Sequence, residues 1–406
     1  MTTIGARKGL LSILTGNTPA VRGELVGRLS RRHPEAVALS VSIQAAPTGR
    51  YPAVQRLMRP DDLGTNLGVN VSSGTTGDPT VILRQDLIAL RRAKRDVHVL
   101  LALPQEVDTL PFLLRLWRSR IGADSLEDHY DCSPVLAAVD PLVFLENVTD
   151  VRHTARLWEG AERSEPFTAA EVAVRQVEAA DALLMAAAAP DTPRAQEGAA
   201  AHVRHLNPRA LVAELRQFPT GDSALTEGRS PKLLREAWAS SLEAVTWLPV
   251  PADPDPAVSS FVWRARRPLH PGRLAEGIGA VMLGVLRSRG HLWLSNRPDA
   301  VISWRSAGPH LDLRETGRWL EEADARAWQA ASAQRRTLAS WFWDGPFGER
   351  RSEIGFTGAH LDIERIAREL DAALLTDAEL ALGRASWSDW TDPLFSHMGQ
   401  HRPPSN

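Results

Sequence analysis

In the first half of the chain, short continuous apolar runs alternate with stretches of helical spacing. Leu10–Thr15, Ala36–Ile43, Val97–Leu103, Val135–Asp140 and Ala182–Ala187 read as buried strands. Between them, Ala20–Arg31, Leu87–Arg95, Leu110–Arg118 and Ala169–Ala180 place apolar residues on one helical face. Such alternation predicts a mainly parallel sheet covered by helices. Turn chemistry then interrupts it at Pro219-Thr220-Gly221-Asp222 and in the proline-rich run 249–256, with a short helix beginning near Ser230-Pro231. Beyond that the pattern changes in kind. Ser259–Arg266 alternates like a strand and Pro271–Arg287 has a helical period. His291–Leu294, Ala300–Arg305, His310–Leu313 and Glu353–Thr357 read as further strands, ahead of a helix over 362–374. The expected organisation is an α/β domain over 1–218, a linker region over 219–256, a compact α+β module over 257–393 and a disordered tail over 394–406. No internal repeat is present.

Composition sharpens this picture only in places. A chain of 406 residues, 43% hydrophobic, with a net charge of −2, has room for two domains and is no basic nucleic-acid coat. Lys8, Lys94 and Lys232 are its only lysines, a skew that fits GC-rich coding better than a preference for bidentate arginine contacts. The skew also leaves no lysine for a phosphate loop, since Lys8 precedes the first strand. The lone Cys132 excludes an internal disulfide and a cysteine metal cage, and ahead of an apolar strand it is expected to be inert. Without a leader pattern or an apolar stretch of about 18 residues, the expected location is the cytoplasm, with neither membrane nor DNA as partner.

The first strand ends where a phosphate cradle would sit. A P-loop carries G-x-x-x-x-G-K-[ST], whose amides wrap phosphate while the lysine neutralises it. Here the turn reads Gly16-Asn17-Thr18-Pro19-Ala20-Val21-Arg22-Gly23-Glu24. Pro19 removes an amide donor, and Val21 puts a side chain where backbone should approach phosphate. Gly23 offers no hydroxyl to magnesium, and Glu24 repels phosphate. The expectation is a degenerate loop, marked by Gly16, Arg22 and Gly23.

The second module carries a family signal. Arg267-Pro268-Leu269-His270-Pro271-Gly272-Arg273-Leu274 and Arg289-Gly290-His291-Leu292-Trp293-Leu294 resemble the C-terminal domain of the CobW family of metal-related GTPases. So do Gly317-Arg318-Trp319, Phe356-Thr357-Gly358 and Leu370-Asp371-Ala372-Ala373-Leu374-Leu375-Thr376-Asp377, in the family's order across 260–393. The first half aligns more loosely, through Val139-Asp140 and Leu206-Asn207-Pro208-Arg209-Ala210. The resemblance implies a degenerate P-loop NTPase-like domain followed by an α+β CobW C-terminal domain.

Read through that resemblance, four chemical motifs are missing. The phosphate loop is eroded. The family's G-C-x-C-C and T-I-R-x-D-L fall on Gly77–Leu87, where Asp78, Thr80 and Val81 replace the three thiolates, so a soft-ligand zinc site cannot form there. Leu101 stands where an acidic residue is expected after Val97-His98-Val99-Leu100, and the base-reading N-K-x-D falls on Ala186–Ala189.

Eroded loop, overall length and the Arg-Pro-x-His-Pro and Leu-Trp-Leu-x-Asn-Arg-Pro-Asp runs resemble the subgroup of the family that recruits a hibernation-promoting factor to ribosomes when zinc is scarce. The resemblance implies a non-catalytic adaptor with the small ribosomal subunit and that factor as partners. No catalytic residue, metal or resident cofactor is expected, with residual GTP left open, and the weight of the sequence is against an enzyme. Two alternatives stand beside it. One is a slow GTPase or metallochaperone of the family, handling zinc or cobalt. The other is an adenylate-forming ligase, because Ser72–Thr80 resembles S-S-G-T-T-G-x-P-K; Thr80 replaces its lysine, and a Gly/Ser/Thr connector is the favoured reading.

Arg264, Arg266, Arg267, Arg273, Arg287 and Arg289, with Trp263, are the candidate contacts for ribosomal RNA, since arginine pairs phosphate bidentately and tryptophan offers a stacking plane. Weighed above this is a solvated surface whose arginines pair with local carboxylates and whose tryptophan is core. His270 has no second ligand at metal spacing, so a turn or helix-start role is expected. Asp140 is expected to cap the end of its strand. Eleven of the thirteen tryptophans lie beyond residue 237, which makes the second module a candidate protein–protein platform.

Overall fold

Helices cover both faces of the first sheet, so its central strands are near-continuous apolar runs. In the computed structural model, which describes residues 8–44, 51–58, 74–118, 124–152, 167–187, 193–217, 227–246, 248–251, 255, 257–321 and 324–395, the chain divides into two compact units, Met1–Ala239 and Ser240–Asn406. No helix among the described residues is long and apolar enough to cross a membrane.

The first unit contains β1 (Gly9–Gly16), β2 (Val37–Gln44), β3 (Ala53–Met58), β4 (Thr75–Thr76), β5 (His98–Ala102), β6 (Tyr130–Cys132), β7 (Leu136–Val139), β8 (Ala182–Met185) and β9 (Leu211–Glu214). Their order is β4-β3-β2-β5-β1-β7-β8-β9, with β6 also paired to β1. From β2 to β9 the pairs along this path are parallel, whereas β3 and β4 add antiparallel at one edge. The helix Pro19–Arg32 buries Val21, Leu25, Val26 and Leu29 against Leu14, Leu100, Leu136 and Leu184. At about 25 cal/mol per Å² of apolar area removed from water, such side chains dominate what holds the sheet covered. Helices Pro79–Ala93, Thr109–Leu116, Pro141–Asn147, Ala169–Ala179 and Pro193–Leu206 complete the cover.

The second unit is an antiparallel sheet of β10 (Ser259–Ala265), β11 (Arg287–Leu292), β12 (Ala300–Ala307), β13 (His310–Arg318) and β14 (Ser352–Gly358), in the order β10-β14-β11-β12-β13. The helices Pro271–Val281 and Ile363–Ala372 pack together, and Leu274, Val281, Ile366 and Leu370 join Leu292, Ile302, Trp304, Ile354 and Phe356 in one core. A second cluster gathers Val245, Trp293, Val301, Trp319, Leu338, Leu375 and Trp387.

Three differences from the sequence reading have physical causes. The helical period expected over Pro271–Arg287 ends at Val281, because Gly284 turns the chain through a left-handed φ of 78° and Arg287 opens β11. β3 was not expected: its middle carries Arg56, which is buried and paired to Asp86 at 3.0 Å. Leu394 and Phe395, assigned to the disordered tail, pack on the core, with the Arg297 guanidinium 4.5 Å from the Phe395 ring centre; 396–406 lie outside the described residues. Part of the linker region is the helix Pro231–Leu242.

Candidate functional site

The turn between β1 and the helix Pro19–Arg32 is short, and three of its backbone amides are already bonded. Asn17 N–H donates to the Ala138 carbonyl at 3.3 Å, tying the turn to the end of β7. Thr18 is the N-cap in extended backbone geometry, and its Oγ1 accepts from Val21 N–H at 3.1 Å. The Thr18 carbonyl accepts from Arg22 N–H at 3.2 Å, and Pro19 at the first helical position has no N–H to give. A phosphate cradle needs those amides free and convergent; here three of them are bonded within the turn or to β7. Gly16 packs against the helix so closely that a Cβ would lie 3.0 Å from Arg22 Cβ.

Arg22 does not replace the missing lysine in kind. Burial pulls its pKa down while Glu106 pulls it up, and its Nη1 is buried without a hydrogen-bond partner among the described residues. A Cβ added at Gly23 would meet nothing, so no close approach demands glycine there. Glu24 pairs with Arg28 one turn along at 2.8 Å.

Asp140 caps the helix Pro141–Asn147, its Oδ1 accepting from Leu142 and Val143 N–H, so it caps a helix start rather than a strand end. Asp78 has become the N-cap of the helix Pro79–Ala93. Its Oδ1 accepts from the Thr80 N–H at 2.8 Å and the Thr80 hydroxyl at 2.7 Å, and Arg115 lies 3.5 Å from Oδ2. The segment aligned to the family's thiolate motif therefore serves a helix terminus. In the loop that resembles a ligase, Thr75 Oγ1 accepts from Arg56 at 2.7 Å, and Asp78 would repel phosphate; Ser72 and Ser73 lie outside the described residues. Of the alanines replacing N-K-x-D, Ala188 and Ala189 also lie outside them. Cys132 is fully buried, and burial pushes its thiol pKa up.

The six candidate arginines are spread over several elements and largely engaged locally. Arg264 pairs with Glu353 at 3.0 Å and Arg267 with Asp377 at 2.6 Å. Arg273 reaches both oxygens of Glu379, at 2.7 and 2.9 Å, and the Leu374 carbonyl. Arg287 is buried and donates to the Ser306 carbonyl, while Arg289 lies 3.5 Å from that of Ser241. The Arg266 guanidinium stands 5.8 Å from the Phe342 ring centre. Trp263 is buried and donates to Asp371 at 2.9 Å, so it offers no open stacking plane.

The family-like residues of this unit are architectural. His270 caps the helix Pro271–Val281, its Nδ1 accepting from Gly272 and Arg273 N–H, which is the helix-start role expected. Thr376 and Glu379 form a capping box, and the Arg273 bond holds the Glu379 carboxyl down at about 2. Two features are not visible in the sequence: which tryptophans are exposed, and one convergence of histidines with a carboxylate. Trp341, at the end of the helix Ala333–Trp341, is 68% exposed and Trp343 36%, whereas Trp293, Trp304 and Trp319 are buried. His33, Glu35 and His98 lie together at the edge of the first sheet where its strands begin.

Residues 258–374 match the family described as the cobalamin synthesis protein cobW C-terminal domain. The zinc-regulated GTPase metalloprotein activator 1 of Dictyostelium discoideum is 31% identical over 197 residues, 47% of this chain and 41% of that protein. A zinc chaperone of Mycobacterium tuberculosis is 38% identical over 145 residues, 36% of each. The chain thus spans about two fifths of the length of these curated relatives. A Zn(II)-bound YjiA GTPase from E. coli aligns over 91% of this chain and 100% of its own at 14% identity, with a TM-score of 0.36, a likeness too weak to carry an argument.

Proposed function

The chain belongs to the CobW family of GTPase-related proteins, and from that premise we propose that it is a non-catalytic, zinc-linked adaptor. In this reading it associates with the small ribosomal subunit under zinc limitation and helps place a hibernation-promoting factor. The first unit supplies a scaffold and the second supplies contacts. The observation that carries the non-catalytic part is the closed turn: Asn17, Val21 and Arg22 donate their N–H groups to Ala138, Thr18 Oγ1 and the Thr18 carbonyl. With lysine and hydroxyl also gone, nucleotide forfeits charge-assisted hydrogen bonds worth about 1.5–3 kcal/mol each. The zinc link rests on the names of the relatives, a zinc-regulated GTPase activator and a zinc chaperone. The ribosomal link rests on the sequence resemblance.

Sedimentation of extracts from zinc-limited cells tests the adaptor. Co-migration with the small subunit is expected, and absence from ribosomal fractions overturns the ribosomal assignment. The same relatives favour a second reading, a GTP-dependent zinc chaperone. Calorimetry separates the two, since micromolar affinity for magnesium GTP belongs only to the chaperone.

A further inference from the structure

His33 follows the helix Pro19–Arg32, Glu35 precedes β2, and His98 opens β5. The parallel order β2-β5-β1 brings the three to one edge, because Val37 pairs with Val99 and Leu10 with His98. This is the edge where strands begin. The degenerate turn after Gly16 and the Asp78 cap belong to other segments, so neither shares a residue with it.

One ligand atom from each of the three lies within 4.8 Å of the others. Two features single this cluster out from an ordinary surface grouping. His98 is 8% exposed, and its Nε2 is held 2.8 Å from Ser12 Oγ, which also accepts from Ser133 Oγ at 2.9 Å. An imidazole fixed at one nitrogen by an oxygen partner is the usual outer support of a metal-ligating histidine, and Nδ1 is the nitrogen this ring has left to offer. His33 Nε2 is buried and has no hydrogen-bond partner among the described residues, although its ring packs T-shaped with that of His98, centres 5.1 Å apart. A buried ring nitrogen without a partner costs free energy unless something fills the gap.

We propose that His33, Glu35 and His98 form a binding site for a transition-metal dication of the zinc type, with a fourth position left to water. Two imidazoles and a carboxylate suit zinc and its neighbours, whereas magnesium and calcium demand oxygen ligands throughout. Tetrahedral bonds of about 2.0–2.2 Å need donor atoms roughly 3.4 Å apart. The closing that this requires falls to Glu35, the most exposed of the three, whose side chain is 61% exposed. Lys94 leaves that carboxylate alone and bonds the Glu35 carbonyl at 2.8 Å. The site is independent of the adaptor reading and of the family's thiolate motif.

Titration of the chelator-stripped full-length chain with Co²⁺, followed by Zn²⁺, tests this. One equivalent of Co²⁺ should give the visible absorption of a four- or five-coordinate ion, and Zn²⁺ should displace it. His33→Ala and Glu35→Gln should each weaken binding at least tenfold, and Glu35→Gln, at an exposed position, should leave the metal-free melting temperature unchanged. Lack of a stoichiometric visible band overturns the proposal. So does binding that neither substitution alters.

Discussion

Asn17 grips the backbone of Asp140 from both sides: its Oδ1 accepts the Asp140 N–H at 2.7 Å and its Nδ2 donates to the Asp140 carbonyl at 3.0 Å. Through this clamp the turn after β1 is fastened to the segment that leaves β7. Where a working cradle presents backbone to phosphate, this one presents backbone to its own neighbour. Asn17→Ala removes both bonds and leaves two polar groups to find water, so the first unit should lose about 2 kcal/mol. Urea unfolding of the full chain measures this. Magnesium GTP at millimolar concentration should leave the midpoint unmoved in parent and variant alike, because a ligand stabilises only the state that binds it. A rise with nucleotide would falsify the closed-turn account.

Gly290 lies where β11 runs between β12 and β14, and a Cβ there would come within 2.0 Å of the Glu353 carbonyl oxygen. Backbone cannot retreat as a flexible side chain can. Gly290→Ala should therefore destabilise the second unit by at least about 2 kcal/mol. Gly317→Ala is the matched control, since nothing lies within 4 Å of the corresponding position. Equal unfolding midpoints for the two variants would show that the strand shifts without penalty.

These glycines show what the sequence could and could not disclose. β1, β5, β7 and β8 were legible because helices bury both their faces and apolar residues run on unbroken. β3 was not, because Arg56 sits in its middle and its partner Asp86 arrives from the helix Pro79–Ala93. Missing groups in the turn after β1 could be read from residue types. Consumption of its amides by Thr18 and Ala138 could not, since that depends on where the chain returns. The same limit hid the pairing of Arg273 with Glu379 and the convergence of His33 with His98, each set by tertiary order rather than spacing.

His291 is fully buried, its ring T-shaped with that of Trp319 at 5.7 Å between centres. Burial, reinforced by the Arg351 and Arg335 guanidinium groups, holds its pKa well below the ordinary value, while the backbone at Ala244 opposes the shift. The sign follows. Below about pH 6.5 the unfolded chain binds a proton at this imidazole that the folded chain refuses, so stability falls with pH by up to about 1.4 kcal/mol per unit. Above about pH 7 this group contributes no slope. Unfolding free energies between pH 5 and about 7 should show a shallower dependence in His291→Asn than in the parent. Identical slopes would assign the acid sensitivity to other groups.

Trp341 differs from the buried tryptophans of this unit. Trp293, Trp304 and Trp319 hold the second unit together from within, whereas Trp341 leaves 68% of its surface in water at the end of its helix. An exposed indole adds little to folding, so Trp341→Ala should change the unfolding free energy by no more than about 0.5 kcal/mol. Aromatic anchors of this kind carry much of an interface's energy, and truncating one at a hot spot removes about 2 kcal/mol or more, roughly thirtyfold in affinity. If the second unit supplies the adaptor's contacts, Trp341→Ala should leave the ribosomal fractions at salt concentrations where the parent chain stays bound. Trp304→Phe is the counterpart: its indole is buried and donates to Ser288 Oγ at 2.7 Å, so it should lower stability and spare association in the molecules that remain folded. Unchanged co-sedimentation of Trp341→Ala would move the docking surface to another face of this unit or to the first.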